Sequence, residues 1–389
     1  MLLNSLRASL AGFLIFLVSS VSAGQVYWGG VSFAGWESRE SLYPSVASYL
    51  CRGGECPEAT LDTWALETVD EAQFNSFSVS MDYISGGAIE GVVMPPMITG
   101  ESFSMVKDVT GSKTSFIHVY RVFASLLFFE FGTGRFINAK PVVVQFTDTL
   151  ASPATAVQKR EAFGRLLSSE GSGPNVFREM FSRAQDASVI TFSDRYVRVA
   201  STDILPEAEA ELPGVKDIDA WRLQVARLLE SYIVDATNAP LVPTASGAEL
   251  TDEFVATFAN AATRIKLPKT VPFEFSLTLR RLMEISTVDR KQKTLCHAVA
   301  ITLVLDGPMD RLLEAPLVRT KESCGVVAAD KDLDKTYYFT QSLFSLLREA
   351  STNLKAKPDK KFFKRAAPKA KGLDRQFAAA WKTALDNGW

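Results

Sequence analysis

Two stretches of this chain alternate strictly between apolar and polar residues. Apolar side chains occupy every second position of 77–83 and again of 273–279, and the positions between them carry Ser, Thr, Asp or Glu. Successive residues of a β-strand point to opposite faces of its sheet. Each stretch is therefore predicted to form a strand with one buried face.

Both alternating strands are followed by a long apolar run that turns and returns. The run 116–131 reaches a Gly-Thr-Gly turn and returns over 135–146. The run 296–305 reaches a Gly-Pro turn and returns over 311–318. Turn residues between two such runs predict a β-hairpin in each half of the chain.

Further predicted elements complete two copies of one order of elements. They are the strand 26–33 and helix 43–50, the helix 157–167, the strand 232–234 and helix 250–261, and the helix 339–347. The sequence thus predicts an α+β fold of two similar β-α-β-β-β-α halves with mixed or antiparallel sheets, plus a basic C-terminal tail. The returning strands share a pattern, with Lys140 as one extra residue in the first copy. Gene duplication and common α+β organisation both explain this likeness.

The polar face of each predicted sheet has two alternative environments. It is either exposed to solvent or packed against the other half of the chain. An acidic, proline-containing stretch separates the halves and has the composition of a linker. The predicted division is a signal peptide at 1–23, a first α+β domain at 24–202, a linker at 203–217, a second α+β domain at 218–353, and a basic tail with a terminal amphipathic helix at 354–389.

The start of the chain has the order of a secretory signal peptide. Arg7 precedes an apolar stretch at 8–20, and Val21-Ser22-Ala23 fits a small-x-small cleavage site. The apolar stretch is shorter than the roughly 20 residues of a membrane-spanning helix. We therefore expect a periplasmic or extracellular protein, with an uncleaved N-terminal anchor as the alternative.

The expected compartment determines how the cysteines are interpreted. An even number of cysteines in an exported protein predicts disulfides, here Cys51–Cys56 across a short turn and Cys296–Cys324 across the second hairpin. In a hairpin centred on residue 310, Cys296 and Cys324 face each other. A metal site is not expected, because the chain has only two histidines and the compartment is oxidising.

Charge is distributed unevenly along the chain. The segment 355–389 contains ten Lys or Arg residues and three Asp residues, whereas 24–354 has a net charge of −10. Such asymmetry indicates a contact role for the tail, with an envelope protein or a membrane surface as the expected partner. The alternative is a helix that docks on the second domain. The residues singled out for contact are Lys360, Lys361, Lys364, Arg365, Phe377 and Trp381.

No complete catalytic motif is present in the sequence. His118 and His297 lie in apolar strands, where a structural histidine is the expected interpretation. Partial matches to a Ser-x-x-Lys motif at 104–107, a phosphate loop at 111–114 and a calcium loop at 330–341 each lack required residues. We therefore expect no catalytic residue and no cofactor. Export makes ATP and nucleic acid unsuitable partners.

Two hypotheses of function follow from these features. The first is a non-catalytic binding or adaptor protein, of a kind involved in cell-envelope assembly. The hairpin at 128–137 resembles one found in envelope assembly proteins with small α/β periplasmic domains, and the resemblance covers only that hairpin. The second is a secreted hydrolase with a carboxylate site in a cleft between the halves. Binding of a small ligand between the halves is a further alternative.

The cysteine pairing can be tested on the purified protein. With both disulfides formed, the denatured and unreduced chain should contain no free thiol. Thiol titration before and after reduction measures this directly. Four reactive thiols before reduction would contradict the pairing.

Overall fold

The computed structural model shows an α+β protein with two β-sheets, which confirms the predicted fold class. The predicted signal peptide and the Cys51–Cys56 pair lie outside the residues that the structure describes. Those described residues are 24–50, 60–81, 91–110, 113–170, 172–187, 189, 195–244, 253–257, 262–289, 292–319, 324–328 and 334–387.

The strands form two sheets. In chain order they are β1 (Gly24–Trp28), β2 (Ser32–Phe33), β3 (Phe77–Ser80), β4 (Val92–Met94), β5 (Pro96–Thr110), β6 (Lys113–Glu130), β7 (Arg135–Leu150), β8 (Val197–Ile204), β9 (Glu253–Thr257), β10 (Ala262–Lys266), β11 (Phe273–Asp289), β12 (Gln292–Asp306), β13 (Arg311–Arg319) and β14 (Cys324–Ala328). The first sheet has the order β3-β1-β4-β6-β7-β10-β9, with β5 pairing with β6 and β2 with β5. The second sheet has the order β13-β12-β11-β8, with β14 on β12.

The helices pack on the faces of these sheets. They are α1 (Arg39–Leu42), α2 (Pro44–Ala47), α3 (Leu61–Asp70), α4 (Ala156–Leu167), α5 (Val176–Ala184), α6 (Pro206–Glu209), α7 (Ile218–Thr237), α8 (Lys335–Thr352), α9 (Lys360–Ala366) and α10 (Leu373–Asp386), with a 3₁₀ turn at Trp36–Ser38. Polar side chains cap several of them. Thr155 and Gln158 form a reciprocal capping box at α4, and Asp217 accepts a hydrogen bond from the backbone N–H of Ala220 at the start of α7.

Both predicted hairpins are confirmed. β6 pairs antiparallel with β7, and β12 pairs antiparallel with β13. In each sheet, a parallel strand lies beside a meander of three antiparallel strands: β2 beside β5-β6-β7, and β8 beside β11-β12-β13. Whether this likeness arose by duplication stays a prediction.

The Cys296–Cys324 disulfide is also confirmed. Cys296 on β12 lies directly opposite Cys324 on β14, with a Cα–Cα distance of 4.0 Å. Cys324 belongs to a strand separate from the one that returns from the hairpin turn, because β13 ends at Arg319. The bond therefore fastens β14 to the centre of the second sheet.

Two elements predicted in the second half are wrong. Residues 232–234 are the last part of α7, and 250–261 contains the strand β9. A β-branched and aromatic triplet favoured a strand at 232–234, but buried residues at helical spacing from Trp221 to Ile233 continue through it. The strand that precedes α7 is instead β8, and β9 is held by antiparallel pairing with β10.

Strands are exchanged between the two predicted halves. β8 precedes the predicted linker but pairs with β11 of the second sheet, whereas β9 and β10 follow the linker and extend the first sheet. The linker segment itself carries the end of β8, the short helix α6 and three buried side chains, Ile204, Ala208 and Leu212. The domain boundaries inferred from composition stay a prediction.

Three clusters of buried residues make up the core. The first lies between the first sheet and helices α3, α4 and α5. The second lies between the second sheet and helices α6 to α10. The third and smallest joins the opposite face of the first sheet to Tyr196, Val242 and Val271. β6 supplies all three, because its even-numbered residues 120–128 face the first cluster while Phe123 faces the second and Leu127 the third.

The turn between β6 and β7 depends on the absence of a side chain at Gly134. Its φ is +67°, and an added Cβ would lie 2.0 Å from the carbonyl oxygen of Arg264. We expect Gly134→Ala to lower the free energy of unfolding by about 1–3 kcal/mol, from left-handed strain together with displacement of β10. Urea denaturation measures the effect. Gly173→Ala is the matched control, since no atom lies within 4 Å of its Cβ position; equal stability of the two variants would contradict the prediction.

Candidate functional site

The C-terminal tail is folded onto the second sheet. Helices α9 and α10 both pack against β13, with Phe362, Phe363 and Phe377 in the second core. The predicted contact role of Phe377 is wrong, because this side chain is 0% exposed and contacts its own core. Trp381 is half-buried and packs against the same cluster. The apolar face of the predicted amphipathic helix is therefore used inside the protein.

The opposite face of the tail is basic and exposed. Lys360, Lys361, Lys364 and Arg365 are exposed on α9, while the side chain of Asp359 caps the helix by accepting the N–H of Lys361. Arg365 lies 3.4 Å from Glu349 of α8. These four residues are part of a larger group of exposed cations, which we call the tail surface: Lys355, Lys357, Lys360, Lys361, Lys364, Arg365, Lys369, Lys371, Arg375 and Lys382.

Few acidic side chains offset the charge of the tail surface. Besides Asp359, the described part of the tail has Asp374 in the first turn of α10 and Asp386 at its end. Two of these three carboxylates, Asp359 and Asp374, lie at helix N-termini, where they interact with the helix dipole and backbone N–H groups. They are therefore less able to neutralise the lysines. Most of the lysine ammonium groups therefore contribute to a positive potential that attracts anions.

The second group of functional interest is the junction between the halves, where α7 lies. This helix packs against β7 of the first sheet, β8 of the second sheet and α8. Its C-terminus is held by Lys140 of β7, whose Nζ donates to the backbone oxygen of Asn238 at 3.1 Å and to its side-chain oxygen at 2.6 Å. Burial, together with the smaller effect of the nearby Arg183 charge, lowers the pKa of Lys140 to about 8. A cation suits this position because carbonyl dipoles converge at a helix C-terminus.

A buried chain of charged groups crosses the same junction. The guanidinium of Arg227 on α7 passes over Gly100 of β5, where an added Cβ would lie 2.6 Å from its Nη1. Burial raises the pKa of Tyr43, and the adjacent Arg227 lowers it in part. Glu230, one turn further along α7, accepts the backbone N–H of Thr244.

Burial dominates the acid–base properties of these groups. It raises the pKa of Glu230 to about 7, against the opposing effects of the Thr244 hydrogen bonds and of Arg227. It also raises the pKa of Glu101, which accepts the backbone N–H groups of Ser45 and Val46. Both carboxylates are bound by backbone groups of neighbouring segments, so they join parts of the chain.

A third buried cation completes the junction. Arg121 of β6 donates through Nε to Gln145 Oε1 at 2.8 Å and lies 5.1 Å from the ring centroid of Phe344 on α8. Burial lowers its pKa to about 10. The sequence allowed two environments for the polar face of the first sheet, solvent or the other half of the chain. At Arg121 this face packs against the second half. Arg121, Arg227 and Lys140 hold the two sheets in one packed arrangement.

The two histidines occupy structural positions. His118 is buried and accepts the backbone N–H of Ala154 through Nε2 at 3.0 Å, and burial lowers its pKa. His297 is buried between the rings of Tyr338 and Phe339, with its Nε2 3.5 Å from Glu284. The structural interpretation made from the sequence agrees with both environments. Asp334, which lies in the partial calcium-loop match at 330–341, caps α8 by accepting the N–H of Tyr337.

No known protein-family model matches this chain, and no curated protein is similar to it in sequence. Over the described ranges, His, Cys, Asp and Glu side chains form no group that could hold a metal ion. Among the helices described above, none has the length and apolar character needed to cross a membrane. The functional proposals below therefore start from surface charge and pocket chemistry.

The sequence identified the basic residues of the tail surface but missed the junction. Arg227 and Glu230 lie within a helix whose apolar residues surround most of its circumference. Charged residues inside such a helix are the signal that was available, since a helix that is apolar on most sides must be buried. Lys140, noted only as an extra residue in a repeat, carried no such signal.

The buried carboxyl group of Glu230 should make stability depend on pH. Its pKa in the folded state, about 7, is above the ordinary value of 4.5, so the folded protein binds a proton that the unfolded chain has released. The free energy of unfolding should therefore fall as pH rises from about 4.5 to 7, by about 3 kcal/mol from this group, and then level off. Glu230→Gln keeps an oxygen for Thr244 and should remove this decline.

Urea denaturation of the wild type and Glu230→Gln at pH 5 and pH 8 measures the difference. Glu179→Gln is the control, because Glu179 is a partly exposed partner of Arg183. The same pH dependence in the wild type and Glu230→Gln would contradict the prediction.

Proposed function

We propose that this protein is an exported, non-catalytic binding or adaptor protein of the cell envelope, and that its tail surface contacts an anionic membrane surface. The observation that carries the proposal is the two-sided structure of α9 and α10. Their aromatic residues lie in the core, while their lysines face outward together. A surface built in this way offers charge for association and keeps its apolar residues for folding.

The composition of the tail surface favours a lipid surface over a protein partner. Eight of its ten cations are lysines, and lysine is depleted at protein–protein interfaces, where arginine and aromatic residues concentrate. Clusters of four to eight basic residues are typical of segments attracted to anionic lipids. An acidic protein partner is the alternative outcome of the test described below.

The burial of Phe362, Phe363 and Phe377 also defines the type of contact. Without these rings, the helices have little apolar area to insert among lipid chains, so the contact must be peripheral and electrostatic. Such a contact is reversible and weakens with salt. Residues 24–354 have a net charge of −10 and are repelled by the same lipids. This charge separation orients the molecule with its tail toward the membrane.

Export is supported by the disulfide between Cys296 and Cys324, which is compatible with an oxidising compartment. Within such a compartment the absence of ATP and nucleic acid is expected, and the proposed function requires neither. The hydrolase hypothesis stays a prediction. The two buried carboxylates at the junction, Glu101 and Glu230, already accept backbone hydrogen bonds, and no specific observation favours a catalytic role for them.

Charge-neutralising substitutions test the membrane contact better than truncation does. Removing 355–389 would expose the second core, whereas Lys360→Gln/Lys364→Gln changes one exposed face of α9. Each lysine near an anionic surface contributes about 1 kcal/mol, so the double variant should bind vesicles about thirtyfold more weakly. Cosedimentation with phosphatidylethanolamine vesicles, with and without phosphatidylglycerol, measures the binding.

The matched control is Lys107→Gln/Lys216→Gln, which removes two exposed lysines outside the tail surface. It should bind as the wild type does, and binding of the wild type should weaken strongly as salt rises. Wild-type protein that does not bind phosphatidylglycerol vesicles at low salt would overturn the membrane proposal. Equal loss in the two double variants would overturn the role of the tail surface.

A further inference from the structure

A separate pocket lies where the first sheet meets the segments leading into β8 and β11. Its volume is about 470 Å³, which is within the range of small-molecule sites. The start of β7, residue 196 and the loop after β10 form its walls. Its principal lining residues are Arg135, Phe136, Tyr196, Lys266, Pro268 and Pro272.

The backbone places two cations next to each other at this pocket. Lys266 of β10 and Arg135 of β7 are partners in a parallel bridge, and the N–H of Lys266 donates to the Gly134 oxygen at 2.7 Å. Both side chains are exposed and line the pocket. Two cationic side chains at neighbouring register positions can bind one anion together. Arg135 has five N–H donors, so it can bind an anion together with a protein partner.

The floor of the pocket is aromatic and held in position. Phe136 and Tyr196 are buried, their ring centroids are 5.7 Å apart, and the Tyr196 hydroxyl donates to the Phe136 backbone oxygen at 3.2 Å. Because the hydroxyl is engaged there, the floor offers mainly ring surface. Pro268 and Pro272 add rigid apolar walls.

We propose that this pocket binds a small organic anion, in which a carboxylate or phosphate monoester is joined to an aromatic or apolar body. The anionic group lies between the guanidinium of Arg135 and the ammonium of Lys266, and the apolar body lies against the rings and prolines. A bidentate Arg contact together with a Lys point charge is a strong arrangement for both kinds of anion. This site shares no residue with the tail surface and is independent of the proposed membrane contact.

Isothermal titration calorimetry of the full chain with phenyl phosphate tests the proposal. Inorganic phosphate, phenylacetate and benzyl alcohol separate the contributions of the phosphate, the carboxylate and the ring. We expect saturable binding of phenyl phosphate and of phenylacetate, weaker binding of inorganic phosphate, and none of benzyl alcohol. Lys266→Gln and Arg135→Gln should each weaken phenyl phosphate binding about fivefold or more.

Lys216→Gln is the matched control, because it removes one exposed lysine that belongs neither to this pocket nor to the tail surface, and it should leave this binding within about twofold of the wild type. Thermal unfolding of each variant verifies that it is folded. No saturable binding of phenyl phosphate or phenylacetate at about 10 mM would overturn the proposal. Equal weakening by Lys266→Gln and Lys216→Gln would also overturn it, as would equal affinity for phenyl phosphate and inorganic phosphate.

Discussion

The packing of α7 between the two sheets is the constraint on which the rest of this structure depends. A helix buried on most sides has to satisfy every polar group that it brings into the interior. Here Lys140 binds the C-terminal end of the helix at Asn238, and Glu230 binds the backbone of Thr244. The Lys140–Asn238 bond joins residues 98 positions apart in the chain, and the Glu230–Thr244 bond ties the helix to the segment that follows it. The arrangement stabilises one relative position of the sheets and leaves Glu230 as a pH-sensitive group within it.

The tail serves folding with one face, and the proposed contact uses the other. Its aromatic residues close the second core, and its lysines remain outside in a continuous group. A helix whose apolar face is already used cannot insert deeply into a membrane, so the contact proposed for the tail is a peripheral one. The pocket at Arg135 and Lys266 is built differently, since two strands and an aromatic floor position its cations. The molecule therefore has one extended cationic surface and one small cationic pocket, which suit different anions.

Local patterns in the sequence predicted much of the framework. Period-two alternation identified β11, turn residues identified the β6–β7 and β12–β13 hairpins, and helical spacing identified α4, α8 and α10. The Cys296–Cys324 pairing followed from hairpin register and agrees with the structure. These features depend on residues close together in the chain or across one turn, where spacing limits the alternatives. The strand assigned to 232–234 failed because a short apolar triplet does not distinguish a strand from a buried helix.

The sequence by itself determined the α+β class, the hairpins, one disulfide and the concentration of positive charge in the tail. Only the tertiary structure decided that β8 joins the second sheet while β9 and β10 extend the first, since pairing between distant strands depends on which faces can be buried together. Tertiary structure also decided that Phe377 belongs to the core, because an amphipathic pattern is the same whether its apolar face meets a membrane or its own protein. The buried junction and the cationic pocket arise in the same way. Lys140 and Asn238, or Arg135 and Lys266, become neighbours only when the sheets are assembled.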